Sequence, residues 1–206
     1  MACNTRKLSE IVTSCGSNIP SIKKMWIGGY DTVLHPSGIT YKNTTETDED
    51  GNPIIESIQN ITRRTSEGQS DPVYPWVEFQ FRKNTCSASS EMTVNDNGTH
   101  YFTNALNMVL AKQDTNKRLN IEAIASGDCM CIYLDGNNNY WVIGTDQPVN
   151  MTTVSATTGT AATDSNQYEL VLSEDAPSMP IQLVGYTPQG EDPVTPESII
   201  TALCAA

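Results

Sequence analysis

Basic residues are scarce in this chain: 12 Lys and Arg stand against 24 Asp and Glu, giving a formal net charge of −12 and a pI near 4.4. Neutralising a phosphate backbone takes clustered cations, and the pairs here, such as Arg6-Lys7, Lys23-Lys24, Arg63-Arg64 and Arg82-Lys83, are short and dispersed. That composition excludes a dedicated nucleic-acid binder. Histidine is scarcer still. His35 and His100 are the two present, both flanked by turn or polar residues. No Gly-x-Ser-x-Gly elbow, phosphate-binding loop or His-Glu-x-x-His occurs, so no catalytic residue is expected and the chain reads as a non-enzyme. No apolar run is long enough to span a bilayer as a helix. The opening Met1–Lys7 is polar and lacks the apolar centre of a secretory signal, which predicts folding in a cytoplasm.

In that compartment the six cysteines, Cys3, Cys15, Cys86, Cys129, Cys131 and Cys204, are expected as reduced thiols. Cys129-x-Cys131 puts two thiols on one face of a strand, with Cys86 a possible third. A structural zinc site would need a second cysteine knuckle, which is missing, so core packing is the expectation. Asp48-x-Asp50-x-Asn52 resembles the start of a calcium loop, but Pro53 stands where such a loop needs Gly. No metal and no cofactor is expected.

What fills the chain instead is Thr, Asn, Ser and Gly, with hydrophobic residues at 38% and charged ones at 17%. The 206 residues suit a single domain, 1–206, with an arm over 35–75 and a Pro-punctuated tail over 187–206. Leu8–Ser14 is expected as a short helix and Ser21–Leu34 as a strand with a bulge or close approach at Gly28-Gly29. The arm carries the acidic run Glu46-Thr47-Asp48-Glu49-Asp50 between two moderately apolar flanks, which favours a long hairpin. Ile54, Ile58 and Ile61 also fit a helical period, which stands as the alternative.

Trp76–Arg82 alternates strictly, with Val77, Phe79 and Phe81 on one face. Glu91–Asn95 and His100–Leu110 read as a hairpin joined at Asp96-Asn97-Gly98. Lys112–Gly127 is the clearest helix, with Asp114 or Thr115 as its cap, Leu119, Ile121, Ile124 and Ala125 as its stripe, and Gly127 at its end. From Asp128 to Ser173 successive strands are separated by Asp/Gly/Asn turns. A last strand over Pro180–Tyr186 and a short docking helix over Pro196–Leu203 complete the chain.

The back half resembles virion proteins of tailed bacteriophages, particularly the crAss-like phages of gut bacteria. The resemblance lies in Asn138-Asn139-Tyr140-Trp141-Val142-Ile143-Gly144, Thr158-Gly159-Thr160-Ala161, Asp164-Ser165-Asn166 and Gln167-Tyr168-Glu169-Leu170. The opening Asn18–Ile27 is similar to the first strand of the same group, with Pro20-Ser21 where Gly-Gly is common. The family it resembles has the tail-tube fold. That implies a mainly β protein, an antiparallel β-sandwich or half-barrel with one flanking helix (about 114–126) and a long hairpin arm.

The resemblance also implies a structural role in the virion tail. Further copies of the chain would form a hexameric or dodecameric ring, beside neighbouring tail or portal-proximal proteins. DNA would pass without specific binding, and no membrane would be involved. On this reading the expected contact residues are Glu46, Asp48, Glu49, Asp50, Ile54 and Ile58 of the arm. Tyr140 and Trp141, the expected packing anchors of the Asp128–Ser173 sheet that builds the ring, complete the expected interface residues. Two other classes fit the composition: a carbohydrate-binding or adhesin β-sandwich, suggested by Trp26, Trp76 and Trp141, and a head-decoration or fibre-attachment protein.

Overall fold

The computed structural model describes residues 18–47, 53–64, 73–96, 98–161, 163–190 and 192–205. The expected helix over Leu8–Ser14 and the acidic tip Asp48–Asn52 lie outside these residues. In chain order the elements are β1 (Ile22–Gly29), a 3-10 turn (Tyr30–Thr32), β2 (Ile39–Thr47), β3 (Pro53–Ile61), β4 (Val77–Gln80), β5 (Cys86–Val94) and β6 (His100–Ala111). They continue with α1 (Thr115–Ala125), β7 (Cys129–Asp135), β8 (Tyr140–Ile143), β9 (Asn150–Thr157), β10 (Gln167–Ala176), β11 (Ile181–Leu183) and α2 (Pro196–Cys204). The protein is mainly β and sandwich-like. A seven-stranded sheet, ordered β2-β3-β11-β8-β7-β1-β4, faces a four-stranded sheet ordered β5-β6-β10-β9.

The layers follow from side-chain alternation. On β7, Cys129, Cys131 and Tyr133 point between the sheets, while Met130, Ile132 and Leu134 point to the far side. Both faces are covered, which is why Cys-Met-Cys-Ile-Tyr-Leu reads as an unbroken apolar run. Leu106, Met108, Leu110, Leu170 and Leu172 of β6 and β10 meet the first face. The second face is roofed by α2, whose Ile199, Ile200 and Leu203 pack on Trp26, Ile58, Met130 and Val142. A bulge at Lys23 brings Ile22 onto the same side as Met25 and Ile27. Gly28 is required by a close approach: a Cβ there would fall 2.2 Å from Nε1 of Trp76.

α1 is capped by Asp114, whose carboxylate accepts from the Lys117 N–H at 2.9 Å. Of its expected stripe, Ile121 and Ile124 reach the inter-sheet core, whereas Leu119 is 53% exposed because it lies on the opposite side of the helix. α2 is capped in the same manner by Thr195 and carries Pro at its first position. Arg63 closes its other end, donating to the carbonyls of Leu203 and Ala205.

The arm is a hairpin: β2 and β3 pair antiparallel, Ile39 opposite Ile61 and Thr47 opposite Pro53. Its helical alternative is therefore not taken. The foot of the hairpin belongs to the core, with Ile39, Ile58 and Ile61 all buried against α2 and Val33. The Asp128–Ser173 stretch, expected as one sheet, is divided between two. β7 and β8 stay together across the tight Asp135–Asn139 turn. Beyond β8, Gly144 takes φ +88° and the chain crosses to the other layer, where β9 and β10 pair.

Candidate assembly surface

The thiols of the inter-sheet core are deeply packed. Burial pushes the Cys86 thiol up to about 12 and the Cys129 thiol up to about 11, and it raises Cys131 well above the ordinary range. These are packed thiols without nucleophilic character at neutral pH. Among the described residues no group of three or more His, Cys, Asp or Glu is placed to hold a metal ion. His35 stacks on Tyr30 with ring centroids 3.9 Å apart, and burial holds its pKa below the usual value. His100 meets Phe102 edge-on. Trp26 and Trp76 are 6% and 3% exposed and donate from Nε1 to Glu78 and to the Thr32 hydroxyl, at 3.2 and 3.0 Å.

The residues expected to make contacts with neighbours are scattered. Glu46 lies on β2, and Asp48, Glu49 and Asp50 fall outside the described residues. Ile54 is half-buried on β3. Ile58 is 0% exposed, enclosed by its own chain and unable to meet a neighbour without opening the fold. Tyr140 and Trp141 anchor the chain to itself from β8. The Tyr140 hydroxyl donates to Glu197 of α2 at 2.9 Å and its ring lies 6.0 Å from that of Trp26. Trp141 packs on the inter-sheet core and donates to Asp135 at 3.0 Å.

The feature left open is the four-stranded sheet. Its margins are β5, nine residues, and β9, eight residues, and each has a neighbouring strand on one side alone among the described residues. Exposed strand margins are ordinarily guarded by Lys, Pro or an inward charge. Here β5 reads Cys-Ser-Ala-Ser-Ser-Glu-Met-Thr-Val and β9 reads Asn-Met-Thr-Thr-Val-Ser-Ala-Thr, with Glu91 the one charge between them. Neither strand contains Lys or Pro.

The broad outer face of this sheet has a uniform sign. β5, β6, β9 and β10 hold no Lys or Arg, and their carboxylates facing solvent are Glu91, Glu169 and Asp175. The rest is hydroxyl and amide: the Thr103 hydroxyl donates to Asp175 at 2.7 Å and the Gln167 amide to Glu169 at 2.7 Å. Such a face attracts no polyanion.

The fourth carboxylate, Glu174, points inward and is 7% exposed. It accepts from Asn104 Nδ2 at 2.9 Å and from the Gly144 N–H at 2.7 Å, while Asn104 Oδ1 accepts from the Ser90 hydroxyl at 2.5 Å. This chain of bonds runs from the β5 margin through β6 and β10 to the end of β8, so it ties the two sheets together. Burial raises the Glu174 pKa; the Asn104 and Gly144 hydrogen bonds oppose that, and Asp146 and Asp175 add to it.

Comparisons of the chain with protein-family models, with curated proteins and with solved structures give no match. The β9 margin and its neighbour β10 lie in a stretch free of cations: no Lys or Arg occurs after Arg118. Catalytic and metal-ligating motifs consist of residues that are present, so a depletion of this kind carries no motif signal.

Proposed function

We propose that the chain is a non-enzymatic structural protein that assembles with copies of itself into a ring of a bacteriophage tail, part of the conduit through which DNA passes. It would be made in the host bacterial cytoplasm and reside in the virion. The observation that supports this most is the four-stranded antiparallel sheet with two long margins that carry neither Lys nor Pro. Because the strand number is even, β5 and β9 run in opposite directions. A β5 laid against the β9 of an identically oriented copy is therefore antiparallel, and the pattern continues unbroken. Contacts of this head-to-tail kind close into rings or extend into filaments. The cation-free outer face suits a lumen through which DNA slides without adhering. The phage setting rests on the resemblance carried by the Tyr140–Gly144 and Thr158–Leu170 segments.

Negative-stain microscopy with mass measurement of the purified protein tests the reading. Annular particles of uniform diameter are expected. Strict monomers at high concentration under every salt condition would refute it.

A further inference from the structure

The sheet margins carry more than unpaired backbone. Residues of neighbouring strands that sit opposite one another point to the same side, so the pairings of β6 and β10 fix where the margin side chains face. On β5, Ala88 lies opposite Leu106 and Met92 opposite Phe102, with Val94 opposite His100, all on the side that faces between the sheets. On β9, Ala156 lies opposite Tyr168, Val154 opposite Leu170 and Met151 opposite Leu172, again on that inner side. These positions would be core in a wider sandwich. In this chain Met92 is 59%, Val94 60% and Val154 50% exposed. Met92 and Val94 on one flank and Val154 on the other thus stand uncovered on the same face of one sheet, while Met151 packs on the inter-sheet core.

We propose that the chain binds a second copy of itself in one defined register, β5 on β9, with Ala88 opposite Ala156 and Ser90 opposite Val154. This rests on the self-assembly reading above and specifies its seam. Three constraints select the register. Parity is the first: a slip of one residue would turn Ala88, Met92 and Val94 to the polar face of the neighbour's strand. Length is the second, since nine residues against eight leave few backbone groups unpaired when the strands overlap fully.

The third constraint is the outer face. In this register Ser87 meets Thr157, Ser89 meets Ser155 and Glu91 meets Thr153, so hydroxyls or a hydroxyl and a carboxylate stand opposite one another and no like charges do. β9 carries one extra residue at Thr152, where its pairing to β10 shifts between Val171 and Leu172. Past that bulge, Met92 reaches Met151 and the two inner rows merge into one.

Cysteine cross-linking between Ala88→Cys and Ala156→Cys tests the register in the full-length protein. Within one chain these positions are separated by three inter-strand spacings, about 14 Å laterally, and are further offset along the strands, since Ala88 is level with Met151 rather than Ala156; that is too far for a disulfide. Opposite each other across a seam, their Cα atoms would lie about 4.5–5.5 Å apart, within disulfide range. Mild oxidation of A88C/A156C is expected to give a ladder of covalent dimers and higher species on non-reducing gels, several-fold above either single variant. The single variants keep the six native cysteines and set the background. The slipped pair A88C/S155C, which faces opposite sides, is expected to stay at that background.

Oligomers by mass measurement without preferential A88C/A156C cross-linking would overturn the register while leaving assembly standing. Monomers by mass measurement would overturn both. Equal cross-linking of the matched and slipped pairs would also overturn the register.

Discussion

Removing the Glu174 carboxylate should weaken the join between the two sheets, and the size of the effect follows from its partners. The carboxylate satisfies two buried donors, the Asn104 amide at 2.9 Å and the Gly144 N–H at 2.7 Å. Glu174→Ala leaves the Gly144 N–H and one of the two Asn104 amide N–H groups without an acceptor, the other still donating to the Ser178 carbonyl at 3.1 Å. A buried donor left without an acceptor costs about 1–3 kcal/mol, so the loss should be about 2–6 kcal/mol, a large share of a typical domain's 5–15 kcal/mol.

Glu174→Gln is the gentler variant and isolates the charge. Burial raises the carboxyl pKa in the fold, so the native state holds its proton more tightly than the unfolded chain does. The stabilising contribution is then full below the unfolded pKa and is lost as pH rises through the folded one. The stability of the native chain relative to the Gln variant should accordingly be greatest in acid and fall toward neutrality, by about 1.4 kcal/mol per unit of elevation. Urea denaturation of both proteins at a series of pH values measures this. Parallel stability–pH curves for the two, or a Glu174→Ala loss below about 1 kcal/mol, would refute the account of a buried, neutral-amide-bound carboxylate.

Three further outcomes are expected. Gly28→Ala places a Cβ 2.2–2.3 Å from the Trp76 indole. It should cost about 1–3 kcal/mol by overpacking, read as a lower urea midpoint and an altered Trp fluorescence spectrum. Asp135 accepts from the Asn137 and Asn139 N–H groups at 2.8 Å and from Trp141 at 3.0 Å. Burial pushes its pKa up, but the bonds from Asn139, Trp141 and Asn137 outweigh that and hold it below the usual range. Its stabilisation is therefore present above the unfolded pKa and lost as pH falls, so Asp135→Asn should flatten the acid limb of the stability curve. At the proposed seam, Ser89→Lys with Ser155→Lys sets like charges opposite each other and should abolish assembly. Ser89→Lys with Ser155→Glu should restore it, and light scattering separates the two. Monomer stability should move by less than about 0.5 kcal/mol in both.

Local structure was legible in the sequence wherever one face of an element is buried and the other wet. The alternation of Trp76–Arg82 marks β4, with Phe79 and Phe81 on the inter-sheet core. The turn signal Asp96-Asn97-Gly98 falls between β5 and β6, with Gly98 at φ +83°. Asp114 caps α1 as its chemistry suggests, and the Pro196 segment forms the docking helix. The assignment of strands to layers was not legible. Period-two patterning reports that a strand has an inner face without saying which sheet it joins, so Asp128–Ser173 looked continuous. Ile58 misled for a related reason: its neighbours Glu56 and Asn60 are polar, and only the packing of α2 over β3 makes the position a core one. Tyr140 and Trp141, expected at an interface between copies, hold α2 and the Asp135 turn of their own chain.

A chain with net charge −12 must overcome its own repulsion before copies can pack side by side. The distribution of that charge is therefore as informative as its size. Along the two margins the acidity nearly vanishes: β9 carries no charged side chain and β5 carries the charge of Glu91 alone. Across the broad face between them the sign is uniform, with Glu169 and Asp175 and no cation. Low charge at the margins keeps the cost of bringing strands together small, while a cation-free face repels a polyanion running along it. A generic acidic surface gives no reason for the two to coincide on one sheet. The proposed assembly, a sheet that joins its own copies at the edges while DNA slides past its face, calls for both.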